Sequence, residues 1–586
     1  MEPAPSPQPK GSISVKKVVF VLLGIAAVAW YIGQRNTPTA SAPLRSGHNS
    51  MANDMSVGTR APTPPPTTGA PAAAQDESVE RYPMIASPEQ VQPEKEFPIA
   101  VSLTEEAHSD VSILSGNQTD EGRLKLSLPA GRESWKLDVY LTGKGLEFTQ
   151  GTGSGTINLP RRGDPAPATF LVKASQRAAA DGVLHVMATF AYEAVPLARI
   201  ERDIKITSAS PTVGAEVTTA KESAAPSSIE ISDQVPQPDL ALYIKDDTVL
   251  VLSPWLGSSR GSLPNLKGFS DFLAHRSPAS AGRGSEPVDS ERAADEAEGF
   301  GQTLYDNYAP DVFKTAFWRL VQMRGARFRT IQIYSDQPDI PWELMRPRPP
   351  DGTGQRQDFL GLNYSVARWD NNDGILLEHP PYHESMPKMF VIAPHYSGSR
   401  SLDGEAAETQ ELARLNGYSP VDGNRKAVKA LFRNPPQGIV HFAGHGQLDA
   451  AHDEFEILLE DGQLDVQSWR SMADAGLLSH TFFFFNACDV GQAKETGNFV
   501  DGFGPAVLSK GASGYIGALW PVNDQVAAKF SVRFYQLLQE QMRHGPADVS
   551  ETLRRTRKEI YDGKNPTALA YVLYGDTNLK FVRADQ

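Results

Sequence analysis

One ten-residue stretch, Phe482 to Gly491, constrains the fold of this chain more than any other. It reads Phe-Phe-Phe-Phe-Asn-Ala-Cys-Asp-Val-Gly and contains Cys488, the single cysteine among 586 residues. Four consecutive aromatic residues are typical of a strand buried on both faces, because no helical period explains them. The predicted strand ends at Asn486, so Cys488 follows its carboxyl end. Ligands and catalytic groups collect at that edge of open parallel sheets.

A second strand-like run, Gly438 to Phe442, lies upstream and leads into Ala443-Gly-His445-Gly446. A histidine and a cysteine at the ends of neighbouring strands can form a thiolate–imidazolium pair, in which the imidazolium lowers the pKa of the thiol. The N–H groups of Gly446 and Cys488 are candidates for an oxyanion hole. We interpret His445 and Cys488 as the active centre.

Charge and residue spacing exclude several other functions. The formal net charge is -14, from 56 basic and 70 acidic residues, and no sustained basic stripe is present, so we expect no nucleic-acid partner. No Cys/His cluster has zinc spacing. His441 and His445 are four residues apart, but a strand followed by a glycine turn need not place them on one face. We expect no metal site, and we interpret His441 as structural.

The amino-terminal region has the features of a membrane anchor. A polar tail, 1–17, precedes an apolar segment, 18–33, which we predict to be a transmembrane helix. The alternative is a cleaved secretory signal peptide, because Ala40-Ser-Ala resembles a cleavage site. Three lysines before the segment and two arginines after it favour a cytoplasmic amino terminus. The sequence thus predicts a single-pass membrane protein with its main domains outside.

Composition divides the rest of the chain into four parts. Residues 34–93 are rich in Pro, Ala and Thr and predict a disordered linker, and 209–237 predict a second linker. Short alternating runs in 94–208 predict an immunoglobulin-like β-sandwich, although a Cys-Trp-Cys framework is absent. We interpret this domain as a spacer or interaction module; a ligand-binding module is the alternative. In 238–586, strands alternate with helices, which predicts an α/β domain with a mostly parallel sheet.

Two motifs of this last domain resemble a known family. His441-Phe-Ala-Gly-His-Gly and Phe485-Asn-Ala-Cys-Asp-Val-Gly are similar to the catalytic motifs of the CHAT domain, a caspase-fold family of cysteine endopeptidases related to separases. The 43 positions between His445 and Cys488 are similar to the caspase offset of roughly 50. Three further stretches resemble the family in the same order: Ile340 to Leu344, Phe359 to Trp369, and Gly511 to Asp524.

The resemblance implies a reaction and its regulation. His445 would be the general base and Cys488 the nucleophile of an acyl transfer that cleaves peptide bonds in protein substrates without a cofactor. It also implies activation by a partner protein, bound through the β-sandwich or the CHAT surface, as in bacterial stress or antiviral systems. The alternative is a catalytically silent scaffold with the same fold.

One position departs from the pattern of related peptidases. Many metacaspase-like relatives carry an aspartate two positions before the cysteine, where it selects a basic substrate residue, whereas this chain has Asn486. We predict a substrate pocket near Asn486, Asp489 and Trp520. For Trp520 the alternative is a core aromatic residue.

Overall fold

The structure is a computed structural model. It describes these residues: 77–106, 112–115, 124–128, 132–150, 153–192, 195–207, 229–230, 237–245, 247–276, 290–337, 339–350, 352, 355–370, 383–386, 388–398, 401–449, 454–472, 481–488, 494–496, 499–561 and 566–583.

The amino-terminal part of the described chain forms two sheets, which we call the two-sheet unit. Its elements are β1 (Glu77–Ala86), β2 (Gln90–Val91), β3 (Glu96–Thr104), β4 (Ser112–Ser115), β5 (Leu124–Leu128), β6 (Ser134–Thr142), β7 (Leu146–Phe148), β8 (Ser154–Pro160), β9 (Ala168–Ala174), α1 (Gln176–Asp181), β10 (Val183–Tyr192), β11 (Val195–Ile206) and β12 (Ile229–Glu230). One sheet has the order β12-β5-β1-β3-β9-β7 and the other β2-β11-β10-β6-β8, with β4 beside β11. Alternate residues of both sheets fill one hydrophobic core, in which Trp135, Leu137 and Phe190 are buried.

Three strands of this unit lie in the ranges predicted as linkers: β1 and β2 within 34–93, and β12 within 209–237. β2 pairs parallel with β11. β1 begins at Glu77, within 34–93, and pairs antiparallel with both β3 and β5. β12 lies within 209–237 and pairs parallel with β5. They lie at the edges of segments rich in Pro, Ala and Thr, so composition did not reveal them. Their hydrogen bonds come from β3, β5 and β11. The predicted linkers are corrected at these three strands.

The carboxyl-terminal part contains the remaining elements. Its strands are β13 (Leu240–Lys245), β14 (Thr248–Ser253), β15 (Gly257–Ser262), β16 (Thr330–Ser335), β17 (Ser365–Asp370), β18 (His383–Ser385), β19 (Met389–Ile392), β20 (Tyr418–Val421), β21 (Gly438–Ala443), β22 (Gly446–Asp449), β23 (Glu454–Leu459), β24 (Gly462–Asp465), β25 (Thr481–Asn486), β26 (Lys494–Thr496), β27 (Phe499–Asp501), β28 (Gly514–Ala518), β29 (Ala547–Asp548), β30 (Tyr571–Gly575) and β31 (Lys580–Val582). Its α-helices are α2 (Phe269–Arg276), α3 (Ser290–Thr303), α4 (Asp311–Arg324), α5 (Leu360–Asn363), α6 (Asp403–Leu412), α7 (Arg425–Arg433), α8 (Val466–Arg470), α9 (Phe503–Leu508), α10 (Asp524–Met542) and α11 (Val549–Ile560).

Eleven of these strands form one sheet, in the order β15-β14-β13-β16-β17-β30-β28-β25-β21-β19-β20. Three neighbouring pairs run antiparallel, namely β14–β15, β13–β14 and β28–β30. The prediction of a mostly parallel sheet is therefore corrected to a mixed sheet. The consecutive strands β13 and β14 pair antiparallel. β30 lies beside β28 in the opposite direction, which the alternation of strands and helices did not reveal.

The four consecutive phenylalanines lie in β25 and divide between two cores. Phe482 and Phe484 pack on the face covered by α10 and α11, and Phe483 and Phe485 pack on the face covered by α7 and α9. All four are fully buried, as expected for a strand with helices over both faces of the sheet.

The prediction of a membrane-spanning helix is corrected by the structure. Over the part of the chain that the structure describes, no helix is long and apolar enough to span a membrane. The 19-residue α10 carries four charged side chains, and a span needs about 20 mostly apolar residues. The segment 18–33 itself lies outside the described residues. We correct the fold class and the single-pass membrane localisation accordingly.

The two-sheet unit contacts the large sheet directly. Tyr140 of β6 stacks on Tyr243 of β13, with ring centroids 6.1 Å apart, and Tyr243 stacks on Tyr334 of β16 at 4.5 Å. The guanidinium of Arg260 in β15 lies 4.2 Å from the ring centroid of Phe148. The two-sheet unit thus covers part of one face of β13, β14 and β16.

Two of the motif stretches meet in a buried ion pair far along the sheet from Cys488. Glu343, in a 3-10 turn at Trp342–Leu344, is 2% exposed and accepts hydrogen bonds from Arg368 of β17, which is 5% exposed. Nε of Arg368 lies 2.9 Å from the carboxylate. Removing one partner of such a pair leaves the other charge buried and uncompensated.

We expect Glu343→Gln to lower the free energy of unfolding by about 3–5 kcal/mol, because Arg368 then stays buried without its counter-ion. Urea unfolding followed by circular dichroism measures this. The matched control is Glu298→Gln, which removes a half-exposed carboxylate from Arg346 and should cost no more than about 1 kcal/mol. Equal losses in both variants would contradict the assignment.

Candidate active site

Strands β21 and β25 bring His445 and Cys488 to the same edge of the sheet. The strands are parallel neighbours in register, with Ala443 opposite Asn486. His445 and Cys488 each lie two residues beyond these paired ends. The N–H of Gly444 also donates to the carbonyl of Asn486 at 3.3 Å, so the pairing extends past the strands. Since neighbouring strands lie about 4.8 Å apart, the two predicted catalytic residues start from adjacent positions.

Both residues are partly accessible. Cys488 is half-buried, as is His445, in the turn between β21 and β22. Gly446, the predicted oxyanion-hole residue, is the first residue of β22, opposite Ile457 of β23. A three-stranded antiparallel sheet, β22-β23-β24, therefore begins directly after the histidine.

A buried carboxylate, Glu408 of α6, lies beneath this edge and is 3% exposed. It accepts hydrogen bonds from His441 Nε2 at 2.8 Å, from Asn486 Nδ2 at 2.8 and 2.9 Å, and from the hydroxyl of Ser531. The other ring nitrogen of His441 bonds to the hydroxyl of Tyr535 at 3.0 Å. These contacts give His441 the structural position expected from the sequence and join α6, β21, β25 and α10.

Asn486 is held by the protein through both ends of its amide. It is 5% exposed. Its nitrogen donates to Glu408 and to the carbonyl of Ala527, and its oxygen accepts from the hydroxyl of Tyr571 at 2.6 Å. Contact with a substrate, as in the predicted pocket, would require some of these bonds to break.

Of the other two predicted pocket residues, one is buried and one lies outside the described residues. Trp520 is 4% exposed and packs in the main core cluster, which is the alternative that the sequence left open. Asp489 lies outside the described residues. Among the residues that the structure does describe, no group of three or more His, Cys, Asp and Glu side chains is arranged to hold a metal ion.

Three carboxyl groups, those of Glu405, Glu408 and Asp524, lie close together on the α6 side of the site. Burial, with the carboxylates of Glu408 and Asp524 nearby, raises the pKa of Glu405 from 4.5 to about 7. Burial, together with Glu408, Cys488 and Asp524, also raises the pKa of Tyr571 well above its usual value. The Tyr571 hydroxyl therefore stays protonated and can donate to Asn486.

The fold and site define an α/β protein with a histidine and a cysteine at the ends of two adjacent parallel strands. The CHAT domain family matches residues 301–576, so this part of the chain is a CHAT domain. The match begins after β13, β14 and β15, although these strands belong to the same sheet. No curated protein matches the sequence.

The similar solved structures are distant. Saccharomyces cerevisiae separase, solved in complex with securin, is 15% identical with a TM-score of 0.28; the match covers 47% of this chain and 18% of that one. A structure described as a protease is 11% identical with a TM-score of 0.32, covering 46% and 68%. The CARDB domain of a Pyrococcus furiosus protein is 14% identical with a TM-score of 0.13, covering 25% and 100%. This chain thus spans about a fifth of the separase chain, and likenesses this distant support no argument about function.

Sequence reasoning missed Glu408, Ser531 and Tyr571 as partners of the site. They lie on α6, α10 and β30. Glu408 and Tyr571 bond to Asn486 at the end of β25, and Ser531 donates to Glu408. The period of α6 gives no sign that Glu408 faces inward, because the helix is rich in acidic residues. The contact of Glu408 with the site can be recognised only once the order of strands in the sheet is known.

We expect Asn486→Asp to lower the free energy of unfolding by roughly 2–4 kcal/mol at pH 7.5, because two buried carboxylates would then face each other. Repulsion raises the pKa of the new aspartate in the folded state, so the penalty should shrink as pH falls through that pKa. Urea unfolding at pH 7.5 and pH 5 measures both effects. Asn416→Asp, at an exposed position, is the matched control, and equal effects of the two substitutions would sink the assignment.

The raised pKa of Glu405 gives a second prediction. The folded state holds this proton up to about pH 7, whereas the unfolded state releases it near 4.5, so ionisation destabilises the fold as pH rises between these values. We expect Glu405→Gln to be more stable than wild type at pH 8, by roughly 1–3 kcal/mol, and to differ little at pH 4.5. Glu411→Gln, at a more exposed site on the same helix, should show no such trend. A pH-independent difference would refute the prediction.

Proposed function

We propose that this protein is a cysteine endopeptidase that cleaves protein substrates through His445 and Cys488. The observation that carries the proposal is the parallel register of β21 and β25, in which Ala443 lies opposite Asn486. This register supports a dyad, because His445 and Cys488 each follow the paired residues by two positions. The CHAT domain match supports the same chemistry.

The proposed reaction is an acyl transfer. His445 takes the thiol proton, and the Cys488 sulfur attacks the substrate carbonyl to form a tetrahedral intermediate. The backbone N–H groups of Gly446 and Cys488 stabilise its oxyanion. The protonated imidazole then gives its proton to the leaving amine, and water releases the acyl group. No cofactor takes part in this scheme.

Regulation by a partner protein is part of the proposal. The two-sheet unit packs on β13 and β16 through Tyr140 and Tyr243, and Tyr334 lies in the same stack. A protein that binds this unit or the CHAT surface could therefore act on the large sheet without reaching Cys488. Until such a partner binds, the proposed peptidase would have no activity.

The full chain should react covalently with a peptidyl acyloxymethyl ketone at Cys488, which peptide mass spectrometry identifies. Cys488→Ser should abolish the adduct, and His445→Ala should slow its formation by about a thousandfold, since a dyad acts as a unit. His544→Ala is the control, because this histidine is exposed and distant in the chain. Absence of the adduct both in purified protein and in native cell extract would favour the catalytically silent scaffold instead.

A further inference from the structure

We propose that Tyr396 is a positioning residue that fixes His445 for proton transfer. The inference rests on the proposed function, because it concerns the same histidine. Tyr396 lies four residues beyond the carboxyl end of β19, which pairs with β21 on the side opposite β25. Three adjacent strands thus carry Tyr396, His445 and Cys488 to one edge of the sheet.

A closed ring of three hydrogen bonds holds the backbone of His445. Its N–H donates to the Tyr396 hydroxyl at 3.1 Å, and that hydroxyl donates to the carbonyl of Leu458 at 2.7 Å. The N–H of Leu458 donates in turn to the carbonyl of His445 at 2.9 Å. Both backbone polar groups of the histidine are therefore fixed, one of them through the tyrosine side chain.

The tyrosine ring also contacts the imidazole. The ring centroids of Tyr396 and His445 lie 4.7 Å apart, with an angle of 63° between the planes. The same side chain therefore restrains both the backbone and the ring of His445. A restrained imidazole loses less entropy when it reaches the geometry of proton transfer, which is how pre-organisation lowers a barrier.

Gly444 makes this contact sterically feasible. A Cβ atom at position 444 would lie 2.5 Å from the Tyr396 hydroxyl and 2.9 Å from the ring of Phe442. Any other residue would push the hydroxyl away from the His445 N–H. The glycine before the histidine in His441-Phe-Ala-Gly-His-Gly thus leaves room for the Tyr396 hydroxyl to reach the His445 N–H.

The test measures inactivation of the full chain by the same acyloxymethyl ketone. Tyr396→Phe keeps the ring and removes the hydroxyl, so we expect the inactivation rate constant kinact to fall about tenfold, with the reagent's binding constant KI unchanged. Gly444→Ala should give a similar loss by displacing the same hydroxyl. The matched control is Tyr364→Phe, which removes a hydroxyl bonded to Gln357 in the other half of the sheet and should leave kinact unchanged.

A double-mutant cycle separates positioning from a general structural role. If Tyr396 acts through His445, Tyr396→Phe has no further effect on kinact in the His445→Ala background. An equal loss in both backgrounds, or a change confined to KI, overturns the positioning role while the dyad stands. If His445→Ala itself leaves kinact unchanged, the proposed dyad fails as well. Thermal unfolding of each variant confirms that the comparison is between folded proteins.

Discussion

The carboxylate of Glu408 holds the candidate site together. A buried negative charge is costly unless donors surround it, and here three side chains supply them: His441, Asn486 and Ser531. These donors come from β21, β25 and α10, while Glu408 comes from α6. Because the carboxylate is satisfied only when all four elements are in place, the ends of the two strands are fixed relative to each other. The positions of His445 and Cys488 follow from that register.

The buried ion pair Glu343–Arg368, in the other half of the sheet, lies near an arginine that is hydrogen-bonded to β30. Arg557 lies beside the Glu343–Arg368 pair and donates from Nε to the carbonyl of Tyr571 at 3.1 Å. Tyr571 then donates from its hydroxyl to Asn486. Burial lowers the pKa of Arg557 to about 10, yet it remains charged at neutral pH. Motif stretches distant from Cys488 therefore stabilise the strand that precedes it.

The sequence alone predicted the strands that carry His445 and Cys488 better than it predicted the elements around them. The strand at β25 and the positions of His445 and Cys488 after strand ends follow from local patterns, namely an aromatic run and a glycine turn. A π-helical turn at Leu304–Tyr308 precedes α4, and Pro310 separates the two, as expected of a residue that cannot continue a helix. Long-range pairing was missed, because the partner strands of β12 and β30 lie far from them in the sequence. Glu408 and Tyr396 were missed for the same reason, since each depends on the order of strands.

The hydrogen bonds around Glu408 also bear on position 486, where metacaspase-like proteins often carry an aspartate and this chain carries Asn486. An aspartate at 486 would place a second carboxylate within about 3 Å of Glu408, and two such groups cannot both ionise in a buried site. An amide at this position instead donates to Glu408 and accepts from Tyr571, so asparagine and glutamate suit each other. A basic substrate side chain would therefore find little free charge at position 486. The other carboxylates of α6 and of the start of α10 near the site are Glu405, which is buried, and Asp524, which is partly exposed. The negative charge that they supply depends on pH, because the pKa of Glu405 is about 7.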